Sequence, residues 1–166
     1  MTNSTTPNPR GPESAGVSAI LAVVLATIGF FALAVFGLGA VSVATDTDII
    51  AVPNLGQVPG VAGMIAAVVS FALVLWSTLR RSHPSYVATV AIALTAGLAH
   101  LVVVWFAVLI GDGDLVLATA VAGDLVRGGA SAVIVLAALI AGWGGIALRR
   151  TRAEHPRWPW EREEEE

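Results

Sequence analysis

Four long apolar runs, 17–43, 61–79, 86–110 and 128–148, constrain this chain more than anything else in it; none contains an Asp, Glu, Lys or Arg. A helix rises about 1.5 Å per residue, so about 20 residues cross a hydrocarbon core of roughly 30 Å. Each run is near or above that length. A helix on the surface of a soluble domain keeps a polar face at period 3.6, and these runs keep none. Backbone N–H and C=O groups in lipid must be satisfied within the segment, so each run is expected to be helical. Charged residues make up 13% of the chain, against about a quarter in a soluble domain. The expected fold is an all-α membrane protein, a four-helix transmembrane bundle over 16–148. A polar N-terminal segment (1–15) and an Arg/Trp/Glu tail (149–166) flank it.

The arginines orient the bundle. Arg80 and Arg81 separate the second and third runs, and Arg149, Arg150 and Arg152 follow the fourth. The loop after the first run carries Asp46 and Asp48 and no base; the stretch before the fourth carries Asp112, Asp114 and Asp124 with Arg127. The positive-inside rule then places both termini in the cytoplasm and the chain in the cell membrane. Arg10 agrees. Trp76 and Tyr86 fall near the inner ends, where aromatic belts form. Trp143, between glycines, fills a gap or faces lipid. Ser42-Val43-Ala44 has the small-x-small look of a signal cleavage site, but the run before it is longer than an ordinary signal core. The stretch 115–123 is apolar but short; it either extends the fourth helix outward or forms a separate interfacial turn. On a helix, Asp124 and Arg127 would be close enough to pair.

The two halves resemble each other. Asp46-Thr47-Asp48-Ile49-Ile50 matches Asp112-Gly113-Asp114-Leu115-Val116, and Leu79-Arg80-Arg81 matches Leu148-Arg149-Arg150. This reads as a duplicated helical hairpin, of the kind that builds parallel-repeat transporters, or as the same boundary chemistry met twice.

His100 is the single ionisable residue within the four runs, and intramembrane ionisable groups are functional candidates by default. Ala93, Ala96, Gly97, Val104 and Ala107 share its helical face, which is small and suits close helix packing. His100 precedes Ile110 by ten residues and Ser70 follows Val61 by nine. That puts both about 15 Å below the outer ends of neighbouring antiparallel helices. A His100–Ser70 hydrogen bond between helices is therefore expected; a proton relay or ligand contact is the sharper alternative. Two further small-residue rows, Ser18-Ala22-Ala26 and Ala137-Ala141-Gly145, are expected to seat helices in the bundle or a dimer.

Elsewhere the polar chemistry is sparse. There are no cysteines, hence no disulfide, thiolate metal site or cysteine nucleophile. The Asp-x-Asp pairs supply too few carboxylates for a closed metal site. No Gly-rich phosphate loop or His-Glu-x-x-His helix is present, Ser70 lies in Val-Val-Ser-Phe where a rhomboid-like protease needs a Gly-x-Ser context, and the first run lacks the buried Glu of small multidrug-efflux proteins. No enzyme activity, cofactor, metal or nucleic-acid partner is expected. The segment 1–15, rich in Pro, Ser, Thr and Asn, reads as disordered, and its Asn3-Ser4-Thr5 glycosylation pattern is irrelevant in the cytoplasm. In the tail RRTRAEHPRWPWEREEEE the arginines are expected to meet anionic lipid headgroups, at about 1 kcal/mol each. Trp158 and Trp160 would rest at the interface and the final glutamates in water. A linear motif for a cytoplasmic partner is the alternative for this tail.

The Arg-only basic set, the Ala/Val-rich spans and Arg157-Trp158-Pro159-Trp160-Glu161 make the chain similar to small, uncharacterised four-span membrane proteins of actinobacteria. That resemblance covers the whole chain and implies no activity. The residues favour a non-enzymatic integral membrane protein, an accessory or assembly partner of an envelope complex. The alternative is a small transporter or channel subunit, monomeric or homo-oligomeric, that uses His100.

Overall fold

The computed structural model describes residues 17–46, 55–81 and 85–150. The tail residues Arg152, Trp158 and Trp160, the segment 1–16, and Asp48 lie outside them. The described chain is helical throughout: α1 Ala19–Thr45, α2 Val58–Leu79, α3 Ala88–Asp112, α4 Leu115–Arg127 and α5 Ala130–Arg150. Helices α1, α2, α3 and α5 are long and apolar enough to cross a membrane.

Local chemistry sets the helix ends. Ser18 caps α1, its Oγ accepting from Leu21 N–H at 3.2 Å; this satisfies one of the donors a helix start leaves open. Pro59 stands in the first turn of α2, where a missing N–H costs nothing. Gly113 ends α3 at φ 73°, a conformation any side chain with a Cβ resists. Asp114 then starts α4, its carboxylate accepting from Val116 N–H at 2.7 Å and Leu117 N–H at 3.3 Å. Gly129, at φ 86°, breaks α4 from α5. The stretch 115–123 is thus neither an outward extension of the fourth span nor a simple turn. It belongs to a separate amphipathic helix, on which Asp124 and Arg127 pair at 3.6 Å on the exposed side.

Lipid tails are as apolar as leucine, so spans associate through close packing more than through exclusion from water. The interior reflects this. Phe30 of α1 and Phe71 of α2 stack with centroids 4.6 Å apart, beside buried Leu75, Ile92, Ile134 and Ile146. The two small-residue rows meet only at one end, Ala26 against Gly145, across antiparallel α1 and α5. A Cβ on Gly145 would come within 2.9 Å of the Ala26 Cβ. Further out on the same interface, a Cβ on Gly37 would meet Val133 Cγ1 at 2.5 Å. Helix α2 lies along α3 over most of its length, and α5 bridges α1 and α3. A second, smaller cluster joins Val104 and Val108 of α3 to Ala118 of α4, with Leu55 packed against it.

Among the described residues the two ends carry opposite charge. Gly142 and Gly145 of α5 sit beside Phe71 and Leu75 of α2, so these two helices run parallel. Arg80 and Arg81 therefore share an end with Arg149 and Arg150, and Arg149 donates to the Val17 carbonyl at 3.2 Å. Asp46, Asp112 and Asp114 lie at the opposite end.

Candidate functional site

His100 projects from the middle of α3 toward α2 and is 4% exposed. Its helical neighbours Ala93, Ala96, Gly97 and Val104 are buried with it, as their spacing predicts. The seat on α2 is Gly63: a Cβ there would be 2.8 Å from His100 Nδ1 and 2.5 Å from Val104 Cγ2. Glycine lets the imidazole lie against the α2 backbone, and any side chain would force the helices apart. The imidazole's polar contact is the Gly63 backbone, short of a well-formed hydrogen bond at Nδ1, and among the described residues Thr27 Oγ1 and Ser131 Oγ are likewise buried without a well-formed bond. Most buried polar atoms find a partner, so each such group calls for an explanation.

The His100–Ser70 hydrogen bond does not form. Ser70 Oγ donates instead to the Ala67 carbonyl of its own helix at 3.0 Å. The reason is register. A Cβ on Gly111 would meet Leu55 at 2.6 Å, so Leu55, three residues ahead of α2, is level with the far end of α3. Ser70 then comes level with the turn around Ala96, about 6 Å from His100 along the axis at about 1.5 Å per residue. Matching the outer ends of the two apolar runs ignored the turn and a half, about five residues at 3.6 per turn, by which the third run outreaches the second.

Gly63 is a position the sequence reading missed. The signal was the row at four-residue spacing, Pro59, Gly63, Ala67, Phe71 and Leu75, all buried on α2, which marks its inward face. The arginines are partly organised by aromatic rings. Arg80 lies over Trp76 with 5.5 Å to the ring centroid, and Arg150 over Tyr86 with 4.8 Å. Trp143 faces outward rather than filling a gap, 58% exposed. Among the described residues no group of three His, Asp or Glu side chains converges as metal ligands would.

Four helices long and apolar enough to cross a membrane, with a nearly charge-free interior among the described residues, mark the chain as a helical membrane protein. The chain belongs to a family of unknown function, DUF6121, whose model matches residues 13–166. No curated protein and no solved structure matches it.

Proposed function

We propose that the four spans form one transmembrane bundle in the cell membrane with both termini cytoplasmic, and that the protein is a non-enzymatic accessory or assembly partner of an envelope complex. The observation that carries this reading is α1. On its outer half Val35, Phe36, Gly39, Ala40, Val43 and Ala44 line a shallow apolar groove. Phe36 is 78% exposed, and a Cβ on Gly39 would meet nothing within 4 Å. Such a face accepts a further transmembrane helix through close backbone approach. The arginine-rich end supports the orientation, since cytoplasmic loops carry the excess of basic residues.

The packing also supports a duplicated hairpin. If α1–α2 and α3–α5 are the repeats, the α2–α3 interface is equivalent to the α5–α1 interface, and these are the two most extensive in the fold. Helix α4 is then an insertion in the second repeat.

Purification of the tagged protein from mild detergent tests the assembly role. A second membrane protein should co-purify in fixed stoichiometry and be lost on Gly39→Leu, which leaves the bundle intact. A protein that stays solitary under cross-linking in native membranes would refute the reading. A small transporter or channel subunit is the second reading, favoured by the burial of an imidazole, His100, at mid-span. It requires pH-dependent flux in proteoliposomes that His100→Ala abolishes.

A further inference from the structure

Tyr86, two residues before α3, and Trp143 and Arg150 near the end of α5 meet at the arginine-rich end, on the exposed surface of the protein. The Tyr86 and Trp143 rings are 6.3 Å apart, tilted 31° to each other. Arg150 lies over the Tyr86 ring. Trp143 and Arg150 are seven residues apart on α5, which puts them on one face two turns from each other. Leu136 and Ile140 continue that face and are exposed. The stripe from Ile140 to Arg150 spans about 15 Å at about 1.5 Å per residue, the depth of one leaflet's half of a roughly 30 Å hydrocarbon core.

The arginine is held in a particular way. The cation–π contact of Arg150 with Tyr86 holds the guanidinium charge over the ring at 4.8 Å without using an N–H donor on an acceptor oxygen, and a guanidinium presents its donors as a planar fork. That fork matches a phosphate, which it binds through two parallel hydrogen bonds. Arg149, one residue earlier, spends a donor on the Val17 carbonyl. No carboxylate among the described residues lies at this end of the molecule: Asp46, Asp112, Asp114 and Asp124 are all at or toward the other. A favourable helix-dipole interaction accounts for basic residues in the last turn of α5, but not for the stack or for the exposed indole two turns deeper.

We propose that Tyr86, Trp143 and Arg150 form a binding site for one anionic phospholipid. Arg150 binds the headgroup phosphate, Tyr86 holds the guanidinium at the headgroup level, and an acyl chain lies along Trp143, Ile140 and Leu136. Arg149 adds a second positive charge that favours a net-anionic headgroup over a zwitterionic one. The site rests on the spans being embedded in a bilayer, but not on which side the arginines face or on any protein partner.

The test uses the full-length protein in detergent, titrated with phosphatidylglycerol, with phosphatidylcholine and with inorganic phosphate alone. Binding is read by native mass spectrometry and by the shift in thermal unfolding. One phosphatidylglycerol should bind and raise the unfolding temperature, with phosphatidylcholine at least about tenfold weaker. Arg150→Gln should weaken binding about tenfold or more, as expected on losing a charge-assisted pair. Arg81→Gln should leave it unchanged. Arg150→Lys, which keeps the charge and loses the fork, should fall between and serves if the glutamine variant does not fold. Brominated-chain phosphatidylglycerol should quench wild-type tryptophan fluorescence more than that of Trp143→Phe. Equal affinity for the two lipids, or equal loss on Arg81→Gln, would show a nonspecific charged surface and overturn the site. Competition by inorganic phosphate at low millimolar concentration would make it a soluble-anion site and overturn the lipid assignment. A protein that fractionates with membranes yet shows no lipid selectivity sinks this proposal and leaves the membrane reading standing.

Discussion

Gly63→Ala adds a single methyl group at the seat of His100, and its consequence can be worked from the contacts. The new Cβ would lie 2.5 Å from Val104 Cγ2 and 2.8 Å from His100 Nδ1. Carbon atoms pack best about 3.5–4.0 Å apart, so the overlap with Val104 is about 1 Å. Valine in a helix has one strongly preferred rotamer and cannot swing aside cheaply. The imidazole is enclosed by the same interface. Relief therefore requires α2 and α3 to separate along their longest shared surface. Overpacking of this kind costs about 1–3 kcal/mol, and with two clashes we expect about 2 kcal/mol, close to thirtyfold in the folded-to-unfolded ratio. Equilibrium unfolding by SDS in mixed micelles, followed by far-UV circular dichroism, measures it. A double-mutant cycle isolates the ring. His100→Ala empties the space that the methyl needs, so the two substitutions together should be about 1 kcal/mol less damaging than their sum. A Gly63→Ala cost under about 0.5 kcal/mol would refute the close seat. Additivity would show that the imidazole is not what the glycine clears.

Other glycines on the spans should separate by contact alone. Gly145→Ala puts a methyl 2.9 Å from the Ala26 Cβ and 3.2 Å from Leu75 Cδ2; it should cost about 1–3 kcal/mol in the same unfolding assay. Gly39→Ala meets nothing and should be neutral or slightly stabilising, because alanine favours helix. Truncating Phe71 to Ala removes half of the Phe30–Phe71 stack from the centre of the bundle. It should cost about 3–5 kcal/mol, measurable as lost yield and an earlier unfolding midpoint; a cost below about 1 kcal/mol would mean that the stack is not a closed core.

Much of this was legible in the chain, for reasons that can be named. The spans are written in uncharged length. The stop and cap at Gly113-Asp114 and the break at Gly129 are not legible: the fourth apolar run begins at Gly128 and leaves 115–123 open, because a glycine shows its positive φ only in the folded chain. The inward face of α3 was legible because His100 sits in a row of small residues, and only a face that packs tightly needs them. The depth match to Ser70 was not legible. It depends on how far α3 outreaches α2, which the contact between Leu55 and Gly111 sets. Nor did Trp143 reveal its direction, since an indole between two glycines suits either an interior gap or the lipid face.

The sequence alone determined which four segments are long and apolar enough to cross a membrane, and that the short loops between them carry arginine on one side and aspartate on the other. Those properties follow from transfer energies summed along a single segment, with no neighbour needed. The tertiary structure decided the register between helices. It placed Gly63, not Ser70, opposite His100, folded α4 back against α3, and brought Tyr86 and Arg150 together on the surface. Register stays hidden because lipid and protein interior are equally apolar, so an inward leucine and an outward one read alike. Only the fit of side chains against small residues on the facing helix tells them apart.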